Sequence, residues 1–309
     1  MNVLTAFFKL VRWPNLLFIA LTQILFRFFI LHFVYFDNIP ASGFIKLTQP
    51  LFILLVVASV CIAAAGYIIN DYFDLNIDLV NKPSSLVIDK YIKRRWAIVL
   101  HIILSFTGFV LSVYVGYKLW NFYIPFFNLI AIIALWFYST TFKKKLLIGN
   151  ILISLLTAWV ILVLTLAEYR FQLISPPQEW RRLLKVSFIY AGFAFVISLI
   201  REVIKDMEDL AGDLKYGCST MPIVWGIRVS KVFVAVWLIV LTCGAILIQF
   251  YVIHLGWWLS ALYALFAIII PLLWVLRKLY EAKTTADFHR LSTVVKYVML
   301  TGILSMIFF

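Results

Sequence analysis

Nine stretches of this sequence are apolar and long enough to cross a bilayer, and that leaves little else for the chain to be. An apolar helix needs about 20 residues to span the hydrocarbon. On that ruler the candidates fall at 13–35, 50–70, 96–117, 120–141, 147–167, 184–204, 231–252, 257–276 and 291–309. A hydrophobic content of 64% excludes an ordinary soluble domain, where about 45–50% is usual. The fold class expected is all-α, a polytopic membrane bundle of nine transmembrane helices. No Gly/Ser-rich linker or low-complexity tract interrupts the series, so 1–309 reads as a single membrane domain.

The first apolar stretch follows only Lys9 and Arg12, is long enough to span and lacks a small-residue cleavage pattern. Residues 1–35 are therefore expected to stay as the first membrane helix. A formal charge of +13 suits basic residues placed beside anionic headgroups, and no nucleic acid partner is expected. With the amino terminus inside, nineteen basic residues fall in inner segments and six in outer ones. By the positive-inside rule this orients the chain, with the loops after the second and sixth spans on the cytoplasmic side, and a cell's inner membrane is the expected location. The outer segment 168–183, with Pro176, Pro177 and Trp180, reads as an interfacial cap. Cys61, Cys218 and Cys243 are odd in number and show no paired spacing, so neither a disulfide framework nor a thiolate metal site is indicated. His32, His101, His254 and His289 are scattered, without the spacing of a histidine metal site. The sequence is silent on oligomeric state.

Only 14 acidic residues occur, and eight of them fall in two short windows. The first runs Asn70-Asp71-Tyr72-Phe73-Asp74-Leu75-Asn76-Ile77-Asp78, after the second span; the second runs from Arg201 and Glu202 through Asp206, Glu208 and Asp209 to Asp213, after the sixth. Asp71, Asp74 and Asp78 stand at i, i+3 and i+7, and Asp206, Asp209 and Asp213 repeat that spacing. On a helix each trio lies along one face. Stacked carboxylates in a low-dielectric setting need compensating charge. Oxygen-only donors favour Mg2+ or Ca2+, and Mg2+ in particular combines one or two carboxylates with water and phosphate.

One acidic loop alone is as well explained as a hydrophilic connection. Two loops sharing one spacing, both at the inner ends of inward-running spans, are better explained as ligand sets that face each other and hold metal ions. Lys143, Lys144 and Lys145 close span four, and Arg201 and Lys205 flank the second window. Carboxylates for metal beside lysine and arginine suit a phosphate or diphosphate rather than a bare cation. Part of the lysine triplet also serves as a topological stop signal.

These residues resemble a known family. Asn70-Asp71-x-x-Asp74-x-x-x-Asp78 with Asn81-Lys82-Pro83 is similar to the first signature of the UbiA-type intramembrane prenyltransferases. Asp206-x-x-Asp209-x-x-Gly212-Asp213 with Ser219-Thr220-Met221-Pro222 looks like the second. Arg12-Trp13-Pro14-Asn15, Tyr138 with Lys143, and Gly149-Asn150 suit other elements of the family, so the resemblance covers nearly the whole chain. It implies nine helices around a central cavity and magnesium-dependent transfer of a prenyl group from a polyprenyl diphosphate to a lipophilic, membrane-associated acceptor. It further implies that Asp71, Asp74, Asp78, Asp206, Asp209 and Asp213 hold the metal and act in catalysis. Substrate binding then falls to Asn70, Lys143 or Lys144, Arg201, Tyr138, Arg12 and Asn15. The second signature is closer to the branch that prenylates geranylgeranylglyceryl phosphate than to the 4-hydroxybenzoate branch, which usually carries adjacent aspartates there. Other quinone or pigment precursors stay open as acceptors.

Chemically, release of diphosphate from an allylic carbon builds negative charge that metal, lysine and arginine stabilise. The allylic cation must be kept from water, and Glu202 and Asp78 are the candidates to take the acceptor's proton, the choice between them being open. An ion-coupled transporter is the rival from another class, since acids in membranes often mark ion paths; it expects ionisable residues mid-span, where only Arg27 and Lys296 fall. A CDP-alcohol phosphotransferase requires Asp-Gly and Ala-Arg pairs that these windows lack. Neither the acceptor nor the prenyl length is legible.

Overall fold

The computed structural model describes residues 2–36, 45–81, 83, 86–169 and 178–309. Lys82 of the first signature and Pro176-Pro177 of the outer segment lie outside the described residues. A short helix α1 (Val3–Leu10) comes first, followed by α2 (Trp13–Tyr35), α3 (Gln49–Asn81), α4 (Arg94–Lys118), α5 (Tyr123–Thr140), α6 (Ile148–Ala167) and α7 (Gln178–Glu208). Two short helices, α8 (Leu210–Lys215) and α9 (Met221–Val224), lead to α10 (Gly226–His254), α11 (Trp258–Glu281) and α12 (Thr285–Phe308). Among the described residues nine of these helices are long and apolar enough to cross a membrane, one for each expected stretch.

Two spans are longer than their apolar cores. The first acidic window does not follow α3 but forms its last turns, because nothing before Pro83 interrupts helix-compatible residues. α7 extends likewise to Glu208. The second acidic window departs from expectation. The helix stops at Glu208, Asp209 sits at φ −92° and ψ 9°, and α8 starts at Leu210. Asp206, Asp209 and Asp213 therefore share no single helix face. The short Asp side chain competes with the backbone for hydrogen bonds and favours such helix boundaries.

The chain divides into two compact units, Met1–Lys143 with Trp159–Ile189, and Lys144–Ala158 with Tyr190–Phe309. In the first, helices approach through small residues and interhelical polar contacts, both usual in packing inside lipid. A Cβ at Gly108 of α4 would stand 2.7 Å from Ile62 Cγ1 and 3.1 Å from the Ala58 carbonyl oxygen of α3. Gln23 Nε2 donates to Ser59 Oγ and to the Val160 carbonyl, each at 3.0 Å, joining α2, α3 and α6. Asn128 accepts from Trp159 Nε1 at 2.8 Å and donates to Ser112 Oγ at 2.8 Å.

α1 is docked by Ala6, Leu10 and Val11 on Ala64, Ile68 and Leu75 of α3, with Val87, Ile88 and Ile92 of the connection to α4 completing the patch. The chain then turns at Arg12, whose φ of 52° and ψ of 53° are left-handed, before Pro14 restarts the helix. A left-handed non-glycine residue costs on the order of 1–3 kcal/mol, so its side chain must be held firmly.

In the second unit, Val203, Ile204 and Met207 of α7 pack with Val234 and Leu238 of α10, Leu272 and Val275 of α11, and Leu291 and Val295 of α12. Pro271 carries no N–H for the Ala267 carbonyl one turn back, and α11 widens into a π-helical stretch over Leu265–Ile269. Thr301 Oγ1 of α12 donates to that carbonyl at 2.8 Å.

Gly108→Val should force α4 from α3 and lower stability by about 1–3 kcal/mol. Thermal unfolding in detergent checks this, and an unchanged midpoint contradicts the close approach.

Candidate active site

In the first unit three elements bring charge to the end of α3. Asp74 is nearly fully buried, its side chain 5% exposed. Its Oδ2 accepts from the Asn70 amide nitrogen, one turn back, at 2.7 Å, and from the Lys143 ammonium, which stands in the short Phe142–Lys144 turn beyond α5. Asp71 Oδ1 accepts from Arg12 Nη2 at 2.6 Å. The Arg12 guanidinium also lies over the Tyr67 ring, 5.2 Å from its centroid. Burial disfavours the charged guanidinium, but Asp71, with Tyr67 and Asp74, more than reverses this and raises the Arg12 pKa above its ordinary value. Asp78 continues the same helix, partly buried. Asn70, Asp71, Asp74, Lys143 and Arg12 are thus brought together at the end of α3.

Asn15 lies in the first turn of α2, its backbone N–H donating to the Arg12 carbonyl at 2.8 Å. Tyr138 is partly buried near the end of α5.

In the second unit Asp206 closes α7, and its Oδ2 accepts from the Asn150 amide nitrogen at 2.8 Å. Asn150 is buried near the start of α6. Glu202 Oε1 accepts from Lys205 Nζ at 2.7 Å and stands 3.5 Å from Arg201 Nη1. Arg201 Nε is buried and has no hydrogen-bond partner among the described residues. Asp213 is buried in α8, and its carbonyl accepts from the Cys218 N–H at 2.9 Å. Lys144 is exposed, and its carbonyl accepts from the Ser219 N–H at 2.8 Å.

Sequence reasoning missed three partners. Asn150 is a buried amide on Asp206; a lone Asn opening an apolar span was the available signal. Glu208, also buried, lies 2.9 Å from His289 Nδ1 and 3.4 Å from Ser292 Oγ. His289, which stood out in the sequence only for lacking metal-site spacing, therefore holds the end of α7 to α12. The Tyr67 face behind Arg12 carried no local signal.

Among the described residues no three His, Cys, Asp or Glu side chains gather closely enough to hold a metal ion. In the first unit Arg12 and Lys143 each engage a separate carboxylate. The donor set nevertheless fits magnesium, which needs only one or two carboxylates and completes its shell with water and phosphate oxygens. Every candidate ligand is an oxygen, and the buried Asn70 Oδ1 accepts no hydrogen bond from the described residues.

Residues 38–299 match the profile described as the UbiA prenyltransferase family. A protein of Sulfurisphaera tokodaii named digeranylgeranylglyceryl phosphate synthase is 32% identical over 237 residues, 75% of this chain and 75% of that protein. Several other relatives of that name are matched over 54% to 64% of their own length, and one from Methanosphaera stadtmanae, 26% identical, over 86% of its own. Among solved structures, one concerning digeranylgeranylglyceryl phosphate synthase in membranes superposes with a TM-score of 0.62 at 23% identity, covering 99% of both chains. A UbiA homolog from Archaeoglobus fulgidus bound to GPP and Mg2+ superposes with a TM-score of 0.55 at 13% identity, covering 97% of this chain and 99% of that one. These likenesses show the fold.

Replacing Asn150 by Leu removes the amide donor from Asp206 and should lower stability by about 1–3 kcal/mol. Thermal unfolding of purified protein is the check, and an unchanged midpoint contradicts the pairing.

Proposed function

The chain belongs to the UbiA prenyltransferase family, and from that premise we propose that it transfers a polyprenyl group from a prenyl diphosphate to geranylgeranylglyceryl phosphate at the membrane. The observation that carries this reading is the double Asp-x-x-Asp-x-x-x-Asp run at the ends of two apolar spans, in a chain with few other acids. In this reading Asp71, Asp74 and Asp78 form one cation-holding arm, and Asp206, Asp209 and Asp213 the other. Asn70 and Asn150 orient the carboxylates they touch. Arg12, Lys143, Lys144 and Arg201 receive the diphosphate, while Asn15 and Tyr138 contact substrate. The acidic ends lie on the cytoplasmic side, and the whole chain acts as one membrane domain.

Magnesium, when bound, supplies positive charge to the leaving diphosphate. The lysine and arginine side chains donate to its oxygens as the allylic carbon–oxygen bond breaks, the electron pair leaving with the diphosphate. Apolar spans keep water from the allylic cation. The acceptor hydroxyl oxygen then forms the new bond to carbon and loses its proton to Asp78 or Glu202. The acceptor is supported by the name that the relatives share, which sets it ahead of an aromatic precursor. The lack of adjacent aspartates in the second run points the same way.

Purified protein incubated with geranylgeranyl, farnesyl and longer diphosphates and a panel of acceptors, with products read by mass spectrometry, tests the proposal. A digeranylgeranylglyceryl phosphate product is expected, and prenylation of an aromatic acceptor alone would overturn the assignment. Asp74→Asn and Asp209→Asn should each abolish transfer while eluting as folded protein, whereas full activity in either removes that arm from the reaction. Chelation by EDTA should stop turnover and added magnesium restore it; turnover that persists after thorough chelation contradicts the metal's role.

A further inference from the structure

We propose that Lys143 is an exchangeable counterion of Asp74, holding the carboxylate until a divalent cation binds with diphosphate and then moving to the phosphate oxygens. This rests on the reading of Asp71, Asp74 and Asp78 as a cation-holding arm.

The geometry sets up a competition. Asp74 is all but buried, and a charge in that position is stable only when compensated. The compensation comes from the Lys143 ammonium and the Asn70 amide, both on Oδ2. A divalent cation seeking Asp74 meets the ammonium already on that oxygen. Where screening is weak the two positive charges repel, so one of them moves.

Lys143 is built to be the one that moves. It stands in a short turn beyond the end of α5, on a flexible four-carbon stem that carries a point charge. Asn70 sits on α3 itself, one turn from Asp74, and stays. Arg12 offers the contrast: its guanidinium is held by Asp71 at 2.6 Å and backed by the Tyr67 ring, with a backbone fixed by the docking of α1. The arm thus carries one fixed counterion and one movable counterion.

Where it pairs with Asp74 the Lys143 side chain is only 22% exposed, so an ammonium released there needs a new anion. Diphosphate oxygens provide one. A divalent cation alone displaces Lys143 at a loss, while a divalent cation with diphosphate gives the ammonium a partner. The two ligands are therefore coupled, each raising the other's affinity by the same factor.

The test titrates Mn2+, a spectroscopically visible divalent cation that accepts oxygen ligands, into the purified full-length protein in detergent. Free Mn2+ is followed by electron paramagnetic resonance, with and without inorganic diphosphate, against protein-free blanks. Wild type should bind Mn2+ weakly alone and more tightly with diphosphate. Lys143→Met, and the less disruptive Lys143→Gln, should each bind Mn2+ alone about tenfold more tightly than wild type, within the usual span of coupling factors. Diphosphate should then add little. Lys143→Arg, which keeps the charge, should stay near wild type. Wild-type or weaker Mn2+ affinity in both neutral variants, with wild-type elution, overturns the exchange while leaving the functional reading intact. Failure of wild type to bind Mn2+ with or without diphosphate overturns both.

Discussion

A carboxylate at the end of an apolar helix keeps its charge only if a positive group or a set of hydrogen-bond donors reaches it. That constraint organises what surrounds the two acidic runs. Asp74 is met by the Lys143 ammonium and the Asn70 amide, Asp71 by the Arg12 guanidinium, and Asp206 by the Asn150 amide. Glu208, buried beside the second run, is met by His289 and Ser292. Apart from Asn70 with Asp74, which share α3, these contacts cross between elements and tie the helix ends to their neighbours within each unit. An arrangement that neutralises clustered carboxylates with basic side chains is also one that can pass them to a cation and turn the basic groups toward an anion. Structure and proposed chemistry meet at that exchange.

The route from sequence to this arrangement is clearest at Arg12. Ala6 and Leu10 dock α1 on α3, which fixes the direction from which the chain arrives. Pro14 sets the start of α2, so the turn between them falls on Arg12 in a left-handed conformation. The strain there is offset by a short ion pair and an aromatic face. Apolar packing of α1 on α3 thus places a guanidinium on the first aspartate of the run.

The spans were legible because bilayer thickness imposes a length on apolar helices, and all nine expected stretches match a helix. The acidic runs were legible because acids are scarce in this chain. The course of the backbone through them was not. Three aspartates at i, i+3 and i+7 share a face only if the helix continues; it does through Asp78 and fails at Asp209. Pairings such as Asn150 with Asp206 and Glu208 with His289 join residues 56 and 81 positions apart, and no local pattern announces them. Pro271 can be read as a helix disturbance, yet nothing near it in sequence says that Thr301 takes up the carbonyl it frees.

The central claim is that the acidic runs hold a prenyl diphosphate through divalent metal. Calorimetric titration of purified protein with a non-cleavable geranylgeranyl thiolodiphosphate, in buffers with magnesium and with chelator, addresses it most directly. The account predicts saturable binding that requires magnesium. Binding of equal strength in chelator, or none in either buffer, would contradict it.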